Sequence, residues 1–131
     1  MDGPVQPAAW PRPRGYSNGY RLDNLLFVSG QVAWDANERI VGEGDFAAQF
    51  RQALANVCAV LDAAGVGRER VGRVTVYVTE KDAYIAATRE VGAAWRELFG
   101  RHYPAMSLVQ VAALLEAGAM VEIEATAVVI S

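Results

Sequence analysis

The chain has 131 residues, 15 acidic against 12 basic side chains for a net charge of -3, and 53% hydrophobic against 21% charged residues. That length makes one domain, burying roughly two-thirds of its unfolded surface, and the apolar surplus is of the kind an oligomer covers. The acidic balance excludes the basic excess that drives phosphate-backbone binding, so nucleic acid is not an expected partner.

One cysteine, Cys58, and one histidine, His102, exclude an internal disulfide and an ordinary Cys/His zinc site. Cys58 is read as structural and His102 as a surface residue. No basic region followed by an apolar run opens the chain, and no apolar segment approaches bilayer-spanning length. The expectation is a cytoplasmic protein without membrane contact.

In chain order, Pro4, Pro7, Pro11 and Pro13 fall within the first thirteen residues, each fixing its own φ and removing a donor. Residues 1–14 are therefore expected as a flexible arm, and 15–131 as a single domain. Turn-prone Asn18-Gly19 and Asp23-Asn24 flank a short strand near Tyr20, and the apolar run from Leu25 predicts a central strand ending around Val32. Gly30 inside Ser29-Gly30-Gln31 leaves room for a bulge or for close approach of another backbone or a ligand.

Residues 35–44 are rich in Gly, Asp, Asn and Glu and predict a loop. Phe46, Phe50, Ala53, Leu54, Val57, Leu61 and Ala64 then recur at helical spacing, with Asp45 suited to the N-terminus and Gly65 to a left-handed stop. Val74 to Thr79 alternates and is β-branched, a strand. Thr79 and Asp82 resemble a capping pair for a second helix through Tyr84, Thr88, Val91 and Trp95 to Gly100.

Ser107 to Leu114 and Met120 to Ile130 predict two strands of an antiparallel hairpin, connected through Glu116, Ala117 and Gly118. In the second strand Val121, Ile123, Ala125, Ala127 and Val129 share a core face, while Glu122 and Glu124 fall on a mixed face. The order ββαβαββ makes an α+β domain, one mixed sheet with two helices on one face. The other face is left bare, as at an interface.

Ser29-Gly30-Gln31, Leu61-Asp62-Ala63-Ala64-Gly65, the strand Val74 to Thr79, Pro104-Ala105 and Val121-Glu122-Ile123-Glu124, taken together in order and spacing, resemble the Rid (YjgF-like) family of enamine/imine deaminases. The resemblance runs from Gly15 to Val129. It implies a chorismate-mutase-like fold, a homotrimeric barrel, and a small-molecule cleft at each subunit interface. Deaminating members hydrolyse enamines and imines released by pyridoxal-phosphate enzymes, and need no cofactor of their own. In them an Arg after Pro-Ala grips the substrate carboxylate, and the first Glu of the VEIE-like segment helps to place water.

By that resemblance the acid falls on Glu122, but the Arg falls on Met106, whose thioether has no donor. Leu108 and Thr88 stand where small or thiol residues and Asn are frequent, again lowering polarity. The implied catalytic residues are Glu122 and Tyr16; the implied substrate-binding set is Ser29, Gly30, Gln31, Thr88, Ala105, Met106, Ser107 and Leu108.

Each position also has a plain structural reading. Glu122 fits a rim carboxylate, Tyr16 an interface tyrosine, Ser29 and Gln31 a bulge, and Trp95 the core. Arg14, Arg89 and Arg101 are the candidates to replace the missing cation. Three functions compete: an imine or enamine hydrolase with an altered substrate range, a non-catalytic ligand-binding trimer, and, on an older family label, an endoribonuclease. The last lacks a basic stripe with interleaved aromatics.

Overall fold

The last strand of the chain lies in the middle of the sheet. The computed structural model describes residues 1–130, so Ser131, the end of the expected domain, lies outside the described residues. The strands are β1 (Gly3–Val5), β2 (Gly19–Leu22), β3 (Leu25–Gln31), β4 (Val71–Val78), β5 (Ala105–Gln110) and β6 (Val121–Val128). They form one six-stranded sheet in the order β1-β2-β3-β6-β4-β5. Three helices, α1 (Phe46–Ala63), α2 (Lys81–Ala86) and α3 (Thr88–Phe99), complete an α+β fold.

Alternation along β6 explains its place. Val121, Ile123, Ala125 and Ala127 are buried toward the helices, next to Leu26 and Val28 of β3 and Val74, Val76 and Val78 of β4. A strand with so continuous an apolar face is stabilised most where a strand lies on each side. β6 accordingly pairs antiparallel with both β3 and β4.

The first helix begins and ends as its sequence implies. The Asp45 side chain accepts a hydrogen bond from the Ala48 N–H at 3.1 Å, and Gly65 turns the chain with φ +69°, a conformation glycine adopts at low steric cost. Phe50, Leu54, Val57 and Leu61 face the sheet side and are buried. From α3, Val91, Ala94, Trp95 and Phe99 close the core beside α1. The Trp95 indole N–H donates to the His102 carbonyl at 2.9 Å.

Four expectations are corrected. The hairpin between Ser107–Leu114 and Met120–Ile130 does not form: β5 stops at Gln110 and pairs in parallel with β4 at the outer edge. A parallel pair needs a crossover, supplied by α2 and α3, and strand composition does not name the partner. β5 exposes most residues of both faces, which suits an edge.

The second helix divides at Ala87, and Thr79 and Asp82 form no capping pair. The residue before α2 is Glu80, and the Lys81 N–H is met by the Gln110 side chain at 2.8 Å. The arm is built into the fold, since Gly3–Val5 extends the sheet beside β2, with Pro4 tolerated on an edge strand. His102 is half-buried, its Nε2 2.6 Å from the Val71 carbonyl oxygen, so it ties α3's end to β4 rather than standing free.

At Gly19 a β-carbon would lie 2.5 Å from Val60 Cγ1 and 2.8 Å from the Val5 carbonyl oxygen. The second of these is backbone and cannot rotate away. Gly19→Ala is expected to lower unfolding free energy by about 1–3 kcal/mol in denaturant titration; an unchanged midpoint would show that β1 does not hold its place against β2.

Candidate functional site

The face of β6 turned away from the helices carries Glu122 and Glu124. Next to it, β3 has a register shift between Val28 and Gln31, and a β-carbon at Gly30 would lie 2.6 Å from the Glu122 carboxyl carbon. The register shift is the bulge expected at Gly30, while the group that approaches closely is the chain's own Glu122 carboxylate rather than another backbone or a ligand. The absent side chain leaves the space that Glu122 occupies.

Glu122 is half-buried. Desolvation raises its carboxyl pKa above the ordinary 4.5, and the negative charges of Glu124 and Glu116 raise it further. Tyr77 lies directly across from Glu122 on β4, and its hydroxyl reaches diagonally to donate to Glu124 Oε1 at 2.7 Å. That bond and the burial beside it raise the Tyr77 hydroxyl pKa as well. The Tyr77–Glu124 pair was not found in the sequence. Alternation in the sequence places Glu124 on the outward face of its strand, but only the β4–β6 register makes Tyr77 its neighbour.

Tyr16, half-exposed just before β2, lines a cavity of about 200 Å³. Partial burial raises its hydroxyl pKa, followed by the charges of Glu116 and Glu38. The negative charge of Glu116 contributes, after burial, to the raised pKa of both Tyr16 and Glu122.

The remaining predicted residues divide between the two sides of the sheet. Ser29 lies in a shallow groove on the uncovered face with Tyr20, Phe27 and Glu124. Its backbone N–H donates to the Asn18 carbonyl at 2.8 Å. Ala105 and Ser107 pair with Arg73 and Thr75 of β4 on the same face.

Met106 and Leu108 pair with Val74 and Val76 and therefore point to the helix side. Met106 is 43% exposed there, two strands from Glu122 and on the opposite face. Thr88, at the start of α3, is exposed and donates its hydroxyl to the Ile85 carbonyl at 3.2 Å. Gln31 is fully buried on the core face, and its amide donates to Asn18 at 3.1 Å. One chain alone does not bring Glu122 and Met106 together. Arg14, Arg89 and Arg101 are all exposed.

The uncovered face also carries an apolar strip. Tyr20, Leu22, Phe27 and Val128 are each exposed by 36% or more and adjoin through the β2–β3–β6 register. Among the described residues no His, Cys, Asp and Glu side chains gather into a group able to hold a metal ion, and no helix is long and apolar enough to cross a membrane.

The chain is 38% identical over 118 residues to a RutC family protein of Pyrococcus horikoshii, covering 89% of this chain and 90% of that one. It is 39% identical over 116 residues to a 2-iminobutanoate/2-iminopropanoate deaminase of Salmonella typhimurium, covering 86% of each. The solved YjgF gene product of E. coli is 32% identical, covers 96% of this chain and 98% of its own, and superposes with a TM-score of 0.79. The family model described as Endoribonuclease L-PSP matches residues 8–129. From the arm to the end of the central strand, the chain belongs to that family, known also as the Rid or YjgF-like family.

Proposed function

We propose that this protein hydrolyses an imine or enamine of a small metabolite that need not carry a carboxylate, in clefts between three copies of the chain. The observation that carries the reading is Glu122: a half-buried carboxyl held against the Gly30 backbone, with its pKa raised. A carboxyl moved toward neutral pH both takes and returns a proton, which is what imine hydrolysis requires. The deaminase name of the Salmonella relative supports the same reaction type.

Water adds to the carbon of the C=N bond while Glu122 takes its proton. The proton passes to nitrogen, and the tetrahedral carbinolamine expels ammonia to leave a carbonyl. An enamine first accepts a proton at carbon to become the imine. Tyr16, kept protonated by its surroundings, orients the substrate through its hydroxyl. The binding groups of Ala105 to Ser107 are supplied by a neighbouring copy, because those of the same chain lie two strands away from Glu122.

Substrate range follows from charge. At the position where the resemblance implies an arginine, Met106 offers no donor, whereas a bidentate guanidinium–carboxylate contact contributes roughly 1.5–3 kcal/mol. The acids Glu116, Glu122 and Glu124 further disfavour an anionic substrate. RNA cleavage, the activity in the family's description, is not adopted, since a net charge of -3 attracts no phosphate backbone. The missing arginine also favours a second reading, in which the clefts bind a small ligand without turning it over.

Replacing Glu122 with Gln is expected to lower turnover of a small uncharged imine by on the order of 10²–10⁴-fold. Gly30→Ala, whose β-carbon displaces the carboxyl group, should do nearly the same with little change in thermal midpoint. Ligand binding altered without any lost turnover would favour the non-catalytic reading. Full activity of both variants would remove Glu122 from the chemistry.

The raised pKa has a consequence for stability. A carboxyl that binds its proton more tightly in the folded state contributes stability below its ordinary value of 4.5, and loses it as pH rises through the higher folded value. Glu122→Gln should therefore gain stability relative to the parent as pH increases across that window; a difference constant with pH would contradict the desolvated carboxyl. Sedimentation should give a mass about three times 14.1 kDa; a monomer would sink the intersubunit cleft.

A further inference from the structure

We propose that the cavity under the N-terminal arm is a binding site for an organic cation of the alkylated-ammonium class, held among the aromatic rings of Trp10, Trp34 and Tyr16 and beside the carboxylates of Asp35 and Glu38. It shares Tyr16 with the proposed hydrolytic cleft, but Glu122 is not among its lining residues and neither is any of the other residues assigned to that cleft. Its volume of about 200 Å³ exceeds the ~150 Å³ cavity that accepts benzene, so a quaternary ammonium head with a short tail fits.

The walls are fixed before any ligand arrives. Asn56, buried in α1, donates its side-chain amide to the carbonyls of both Val32 and Trp34 at 3.0 Å, which holds the loop after β3 in place. On the opposite wall, Gln6 donates to the Trp10 carbonyl at 2.9 Å. Gln6 in turn accepts from Asn18 at 3.0 Å, and Asn18 accepts from the buried Gln31. Pro11 and Pro13, which also line the cavity, restrict the arm that carries Trp10. A preorganised site does not have to order its side chains at the moment of binding.

Charge selects the ligand. Aromatic faces attract cations through their quadrupole and are used elsewhere as cages for quaternary ammonium groups. Asp35 accepts from the backbone N–H groups of Asn37 at 2.8 Å and Arg39 at 3.1 Å, which hold its carboxyl below the usual range and keep it ionised. Burial pushes the Tyr16 hydroxyl up most, and the negative charges of Glu116 and then Glu38 add to it. Arg12 is the one basic side chain among the lining residues and is exposed; two carboxylates stand against it.

Calorimetric titration with choline and with its uncharged isostere 3,3-dimethyl-1-butanol separates charge from shape. Choline is expected to bind with a Kd of about 0.1–10 mM, and the isostere at least ~10-fold more weakly. Glu38→Gln and Trp34→Leu should each weaken choline by about 2- to 30-fold, and Arg12→Gln should strengthen it. Equal binding of the two compounds, no choline heat up to about 50 mM, or an unaltered Kd in Glu38→Gln would overturn the site. Choline binding that survives Glu122→Gln supports a site independent of the hydrolytic one, and loss of binding in that variant would count against it.

Discussion

The two-residue period of β6 is the constraint from which the molecule follows. One set of its side chains, Val121, Ile123, Ala125 and Ala127, is excluded from water by α1 and the flanking strands, which places β6 between β3 and β4. The alternate set is then committed to the other face, where Glu122 and Glu124 stand two residues apart. Slipping the register by one residue would bury both acids, at a desolvation cost far above the stability of a small domain. The same alternation that builds the core therefore aims the carboxylates outward.

What they meet outward is unusual for a solvent face. Tyr77 lies across from Glu122 on β4 and holds Glu124 through its hydroxyl, Gly30 admits the Glu122 carboxyl from β3, and an apolar strip from Tyr20 to Val128 continues the surface. Acid and apolar groups side by side keep a carboxyl only partly hydrated, which suits a group that exchanges protons. Met106 sits on the far side of the sheet at the β5 edge, so a complete cleft requires a second copy, and the proposed trimer supplies one.

Much of this was legible in the residues. Alternation gave both faces of β6, Asp45 and Gly65 bounded α1, and Gly30 marked the bulge, because each signal is local in the chain. Strand partners were not legible: nothing in the composition of Ala105 to Gln110 says that it joins Val71–Val78 in parallel rather than folding back on Val121–Val128. The same gap hid the direction of Met106, whose facing depends on register with Val74. The break at Ala87 and the docking of the arm through Gly3–Val5 were equally out of reach, since each is decided by tertiary neighbours. Position after Pro104-Ala105 identified Met106 by resemblance, but its place on the sheet required coordinates.

The position of β6 also bears on the order in which the sheet can close. β3 and β4 are joined in the sheet only through β6, the strand that comes last in the sequence of the six. Without β6, the half made of β1, β2, β3 and α1 and the half made of β4 and β5 are two open-edged fragments. Joining them closes long-range pairings all at once, a high-contact-order step. Closure of the sheet thus waits on β6, and loss of that strand removes the keystone rather than an edge.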